Sequence, residues 1–321
     1  MNISLSTNHC FLCGSKLIKA TEEHIFPKWL QHKFKLWNET ITLLNGSKIP
    51  YRMLKIPCCH KCNNEYLSEI EKEVSDAVNN GYESFVLLDE DKIFYWASKI
   101  LYGLLFKELS LNKDRKDPNA GKIMTAESME RFSTLHILLQ GIRIPTKFLD
   151  IKPYSIFIFK MYEYENEDRR NFNYFDSYNQ NIYGMKMNDI GFIMCIEDSG
   201  VHGELGKSSF GKYKDKVLHE IQLQEIFAQI NYKQYLALYP PRYMIIESES
   251  QNERSIQVIQ PSGNLFEEWS QEVYGHILTR ILARIIGPEN IKFEDIYSPP
   301  DKVMTFLNNE DGSFKEIPKY M

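Results

Sequence analysis

The sequence predicts an α+β chain of two parts, a small cysteine-rich N-terminal domain over residues 1–79 and a larger α+β domain over 80–321. Three observations carry this. Five of the six cysteines lie within the first 62 residues, and four of them form two C-x-x-C pairs. From about residue 80 that chemistry stops, and apolar residues recur at helical spacing in some stretches and in strand-like runs in others. A length of 321 residues suits two domains and gives enough chain for a sizeable core.

The first pair is Cys10-Phe11-Leu12-Cys13, followed by Gly14, which suits the unusual backbone angle of a tight knuckle. Thr21-Glu22-Glu23-His24-Ile25 then reads as a strand, and Pro27 ends it and redirects the chain. Successive strand residues face opposite sides, so Glu23 and His24 need a bend to act on one site. Leu44-Asn45-Gly46-Ser47 reads as a hairpin turn. The second pair is Cys59-His60-Lys61-Cys62, and Tyr66, Leu67, Ile70, Val74 and Val78 after it mark a helix with Asn63 near its start. Two knuckles offer four thiolates, the tetrahedral set that Zn²⁺ prefers, so Cys10, Cys13, Cys59 and Cys62 are the expected ligands of a structural zinc. Cys58 can replace Cys59, at the cost of a less usual C-x-x-x-C knuckle. The βαβ context of a redox C-x-x-C pair is missing.

The remainder reads in order as follows. Asp91–Leu111 is a helix with Ile93, Trp96, Ala97, Ile100, Leu101, Leu104 and Leu105 on the 3.6-residue period, and Asn112–Gly121 a polar loop. Thr125 caps a second helix that runs to Gln140 and closes at Gly141. Ser155–Tyr164, Ile182–Met187 and Gly191–Glu197 are strands, with a polar tip at Glu163–Arg170; Cys195 reads as a small core hydrophobe. Leu223–Leu236 is a helix, Arg242–Glu247 and Ser255–Gln260 an antiparallel pair, and Leu265–Ile286 a long helix stopped by Gly287-Pro288. The tail shows little pattern. Gly203-Glu204-Leu205-Gly206-Lys207-Ser208 resembles the end of a phosphate-binding loop, but Val201 stands where that pattern needs glycine, so it reads as a mobile Gly/Ser loop.

Composition excludes several classes. No apolar run approaches the roughly 18–20 residues of a membrane helix, and the N-terminus lacks a signal peptide's basic start and apolar core. A cytoplasmic location follows as the default, with the cysteines reduced. The net charge of −5 excludes a generic basic coat for nucleic acid. It divides unevenly: residues 1–75 carry +3 and the rest −8, so any nucleic-acid contact belongs to the first part. The candidates there are Lys28, Lys33, Lys35, Lys48, Arg52, Lys55 and Lys61; Glu65 and Glu71 read as a solvated helix face.

The order C-x-x-C, acid-His, C-x-x-C-Asn resembles the HNH (ββα-metal) endonuclease superfamily. Within it, Glu23-His24-Ile25-Phe26-Pro27-Lys28-Trp29-Leu30 with Cys59-x-x-Cys62-Asn63-Asn64 looks like the zinc-stapled, endonuclease VII-like branch and bacterial HNH proteins with variable C-terminal regions. The resemblance covers about residues 8–75 and implies a treble-clef-like, zinc-bound nuclease domain. It implies that His24 is the general base for water attack on a phosphodiester, and that Glu23 and Asn63 bind a catalytic Mg²⁺ or Mn²⁺. The family's middle Asn, which orients the His, has no counterpart before the second knuckle; Asn45 is the nearest candidate. The implied substrate is nucleic acid, with DNA preferred, in bacterial defence or mobile-element biology. Residues 80–321 would then recognise the target, bind a partner subunit or self-associate. The competing readings are a non-catalytic zinc module that binds nucleic acid or a protein, and an RNase using the same site.

Overall fold

In the computed structural model, which describes residues 8–18, 21–165, 170–248, 253–260 and 262–320, the first cysteine pair is followed by strand β1 (Thr21–His24). Pro27 opens the short helix α1 (Lys28–Lys33), a hairpin of β2 (Thr40–Thr42) and β3 (Lys48–Pro50) follows, and the chain returns as β4 (Lys55–Cys58). β1 and β4 pair antiparallel, with Glu23 opposite Ile56 and His24 opposite Lys55. The second cysteine pair then leads through a π-helical turn, Cys62–Leu67, straight into α2 (Ser68–Asn79). A two-stranded hairpin followed by a helix is therefore present, with Asn63 in the helix's first turn.

The chain divides into two compact units, residues 1–147 with 245–256, and residues 148–244 with 257–321. The expected boundary at 79/80 thus falls inside the first unit. The reason lies in the helices that follow. After the short α3 (Tyr82–Phe85), α4 (Glu90–Glu108) is buried along nearly its whole length, so it has no polar face to turn to solvent. It lies tightly on the β1–β4 hairpin, because a Cβ on Gly103 would meet Ile56 at 3.2 Å and Ile25 at 3.3 Å. Trp96 stacks on Trp29 at 6.1 Å, and Phe106 meets Phe11 edge-on. A hairpin and one helix cannot bury such a core alone; α4 completes it.

The expected helix over Thr125–Gln140 is two, α5 (Ala126–Glu130), capped by Thr125, and α6 (Ser133–Leu139). The break falls at Arg131-Phe132, where Phe132 leaves the helical region at φ −100° and ψ 15° and is itself buried. β5 (Thr146–Leu149) follows.

The second unit is built on a sheet. β6 (Tyr154–Met161), β7 (Phe172–Ser177), β8 (Ile182–Met187) and β9 (Ile190–Ile196) pair antiparallel in the order β6-β9-β8-β7. β7 was not legible as a strand, and half of the expected Glu163–Arg170 tip, residues 166–169, lies outside the described residues. The expected Gly/Ser loop is a helix, α7 (Val201–Phe210). Its glycine serves close approach, not flexibility, since a Cβ on Gly206 would meet the Phe157 ring at 2.3 Å. β10 (Val217–Leu218) adds to β6 in parallel, and α8 (Glu220–Tyr235) runs through the core.

β11 (Arg242–Ser248) and β12 (Glu253–Ile259) are hydrogen-bonded neighbours, as expected, in a three-stranded sheet with β5. α9 (Gln271–Ile286) starts six residues later than expected, at its Ser270 cap, and ends at Gly287. α10 (Phe293–Ile296) and the two-residue strands β13 (Tyr297–Ser298) and β14 (Lys302–Val303) follow. The core joins Phe157, Phe159, Ile193 and Cys195 of the sheet to Leu223, Ile226 and Phe227 of α8 and Leu278 and Leu282 of α9. No helix among the described residues is long and apolar enough to cross a membrane.

Candidate metal centre and the His24 site

The four expected zinc ligands converge. Ligand sulfurs of Cys10, Cys13, Cys59 and Cys62 all lie within 4.8 Å of one another, the span that one tetrahedral ion bridges. Each knuckle is a tight turn: Gly14 N donates to Cys10 O at 2.9 Å, and Cys62 N donates to Cys59 Sγ at 3.4 Å. Phe11 N donates to Pro57 O at 3.1 Å and so fastens the first knuckle to β4. The thiols crowd each other in a way a cation resolves. Hydrogen bonds from Cys58 and Cys62 pull Cys10 far below the usual thiol range. Bonding to Cys10 and burial push Cys62 up, and burial pushes Cys59 up. One charge opposing its neighbours is what a divalent ion removes, since coordination favours the thiolate. The donor set therefore fits Zn²⁺.

The Cys58 alternative is settled by geometry. Its sulfur lies 3.9 Å from Cys10 Sγ but stands outside the four-membered cluster. The bond to Cys10 and burial push its thiol up, which favours the neutral thiol over a fifth thiolate. Two further side chains hold the first knuckle, His136 from α6 and Gln140 from its C-cap: His136 Nε2 lies 3.0 Å from Phe11 O, and Gln140 Nε2 donates to Leu12 O at 2.7 Å. Neither was legible in sequence. They sit four residues apart on one helix face, a spacing that marks neighbours but not what they touch.

Glu23 and His24 go separate ways, as strand alternation requires. Glu23 is buried and ion-paired with Lys99 of α4, which also pairs with Glu71 of α2 at 2.9 Å. Lys99 is 1 % exposed, and its ammonium donates to the carbonyls of His24 and Ile25 at 2.7 and 3.2 Å. Burial opposes that charge, but the two carboxylates outweigh it and push Lys99 up to about 12. Glu71 is thus not the solvated residue expected. Burial, then the charge of Glu23, pushes its carboxyl up to about 7 against the pull of Lys99. Lys99 escaped sequence reading because a lysine on an apolar helix face gives no sign of its partners.

The His24 ring stacks on Trp37 at 6.2 Å, and Trp37 stacks on His32 at 5.3 Å on the exposed side. His24 Nε2 is buried with no hydrogen-bond partner. Burial first, then the charges of Lys28 and Lys55, hold its pKa below the ordinary 6.5 and keep the ring neutral. Lys55 donates to Glu22 at 3.0 Å, and Lys107 stands in the same electrostatic neighbourhood. Asn63 Nδ2 donates to Thr21 Oγ1 at 3.1 Å, tying the helix start to β1. Asn45 is a turn residue that accepts from Ser47 N at 3.1 Å and donates to Lys113 O at 2.9 Å.

A catalytic Mg²⁺ or Mn²⁺ needs several oxygen ligands, two of them from Glu23 and Asn63 on the resemblance. Glu23, the charged member of the pair, is committed to the Lys99 ammonium; Asn63 donates only through Nδ2, so its amide oxygen is not the obstacle. This arrangement does not fit a divalent ion. In comparisons with known proteins, the chain matches no family model, no curated protein and no solved structure.

Proposed function

We propose that the first unit is a zinc-stapled, HNH-like module that hydrolyses phosphodiester bonds in nucleic acid, with His24 as the general base. One observation carries this: His24 is a neutral imidazole with an unpartnered buried Nε2, set among Lys28 and Lys55. A neutral imidazole takes a proton from water as the water oxygen attacks phosphorus; the bond to the leaving sugar oxygen breaks, and that oxygen takes a proton from solvent. Lysines beside it favour the dianionic transition state. The zinc is a staple that holds the hairpin, and no step passes through it. Recognition of the target, or self-association, falls to the second unit.

A second reading has its own observation. Lys99 neutralises the carboxylate that the resemblance would give to a metal, which favours a zinc module that binds nucleic acid or a partner without cleaving it. One experiment separates the two. Supercoiled plasmid and a structured RNA are incubated with the protein and with His24→Ala, each with Mg²⁺, with Mn²⁺ and with chelator. Cleavage of either substrate that disappears in His24→Ala supports the hydrolase, and the substrate cut names DNA or RNA. Shifted but intact substrate under all conditions establishes the binding module.

A further inference from the structure

We propose that Cys195, Asp198 and His202 of the second unit form a buried binding site for a transition-metal ion of the Zn²⁺ class, separate from the four-cysteine centre. Ligand atoms of all three lie within 4.8 Å of one another, and the residues are 0, 6 and 4 % exposed. One sulfur, one carboxylate oxygen and one imidazole nitrogen form a mixed set that suits zinc and not a hard cation. Three protein ligands leave a fourth position for water or a small molecule.

The chain is shaped to bring these groups together. Cys195 lies at the end of β9, opposite Ser155 of β6 on the same sheet face. The next residues reverse sharply, with Glu197, Ser199 and Gly200 in the left-handed region at φ 59°, 56° and 68°. Two non-glycine residues held there store backbone strain of the kind that persists where a site is assembled. The reversal places Asp198 beneath the first turn of α7, which carries His202.

His202 and Asp198 are each oriented by a further contact, as metal ligands are. His202 Nε2 lies 2.7 Å from Gln234 Oε1, so a proton on Nε2 leaves Nδ1 as a lone pair. Asp198 accepts from Ser155 Oγ at 2.5 Å, Gly200 N at 3.0 Å and His202 N at 3.1 Å. Ser155 Oγ in turn accepts from Gly203 N at 2.7 Å. A turn made only for its hydrogen bonds would require Asp198 and Ser155; it would not require a thiol and an imidazole at the same point.

The test is metal content of the full chain, stripped with chelator under reducing conditions, reloaded with Zn²⁺, desalted and measured by mass spectrometry. Wild type is expected to hold about one ion more per chain than Cys195→Ser or Asp198→Asn. Asp198→Asn keeps the acceptor oxygen and provides the reading if the serine variant does not fold. Reloading with Co²⁺ gives a second readout: the variants lose the part of the d–d absorption that belongs to the mixed site, while the d–d and sulfur-to-metal bands of the four-thiolate site persist. Equal zinc content in wild type and a folded variant overturns the proposal.

Discussion

Lys99 donates from its buried ammonium to the carbonyl oxygen of His24 at 2.7 Å. The bond joins α4 to the end of β1, at the residue that carries the candidate base. With Glu23 and Glu71 on the same ammonium, it also locks α2 to both. The position of His24 therefore depends on a helix that the cysteine-rich segment does not contain.

Removing one partner of such a cluster leaves uncompensated charge in a dry place. Lys99→Met keeps the apolar stem and strands two carboxylates, a change that costs about 3–5 kcal/mol at comparable buried pairs. Urea unfolding should show a loss of that size. Adding Glu23→Gln and Glu71→Gln to Lys99→Met should restore part of it, because the stranded charges are gone. A loss below about 1 kcal/mol for Lys99→Met alone would show that the cluster is solvated.

Glu71 gives the same cluster a pH signature. Its carboxyl is raised from 4.5 to about 7, chiefly by burial and then by Glu23. Between those values the folded chain holds a proton that the unfolded chain has released. Its contribution to stability is thus full below about pH 4.5 and is lost as pH rises through about 7. The urea midpoint of wild type should fall between pH 5 and 8 relative to that of Glu71→Gln, and parallel midpoints across that range would refute it.

His24 carries the opposite sign. Its pKa lies below 6.5 because of burial and of Lys28 and Lys55. The unfolded chain therefore takes up the proton first, and this contribution is full above about pH 6.5 and lost as pH falls below it. An NMR titration of the ring should give a midpoint below 6.5, and Lys28→Ala with Lys55→Ala should move that midpoint upward. Any hydrolysis that needs the neutral base should keep its rate below pH 6.5 in wild type. A midpoint at or above 6.5 would remove the electrostatic argument for His24 as base.

The four sulfurs and the hairpin-then-helix order were legible because spacing alone specifies them: two C-x-x-C pairs, a strand ended by Pro27, a periodic apolar face. The extent of the unit was not. Gly103 and Lys99 sit four residues apart on α4, and both matter through what they meet across the packing, Ile25 and Ile56 for one, Glu23 and Glu71 for the other. The C-terminal tail failed for a related reason. It follows no period, because its backbone is held by polar side chains of α8: Gln222 Nε2 donates to Phe306 O and Lys315 O, and Glu225 accepts from Phe306 N. Cys195, Asp198 and His202 do carry a local signal, a C-x-x-D-x-x-x-H spacing, but the apolar run around Cys195 reads first as strand core.

Cys58 and Cys59 are adjacent, yet they should behave oppositely when replaced. Cys59 belongs to the four-sulfur cluster, and Cys58 only bonds to one of its members at 3.9 Å. Cys59→Ser should lower zinc content by about one ion per chain and destabilise the first unit by several kcal/mol, since a structural zinc binds with free energy of order 10 kcal/mol that is largely folding free energy. Cys58→Ser should keep the ion, because a hydroxyl can still donate to the Cys10 thiolate. Its cost should stay near 1–2 kcal/mol, the scale of one altered buried hydrogen bond. Metal analysis beside thermal unfolding reads both outcomes, and zinc lost from Cys58→Ser but kept in Cys59→Ser would reverse the ligand assignment.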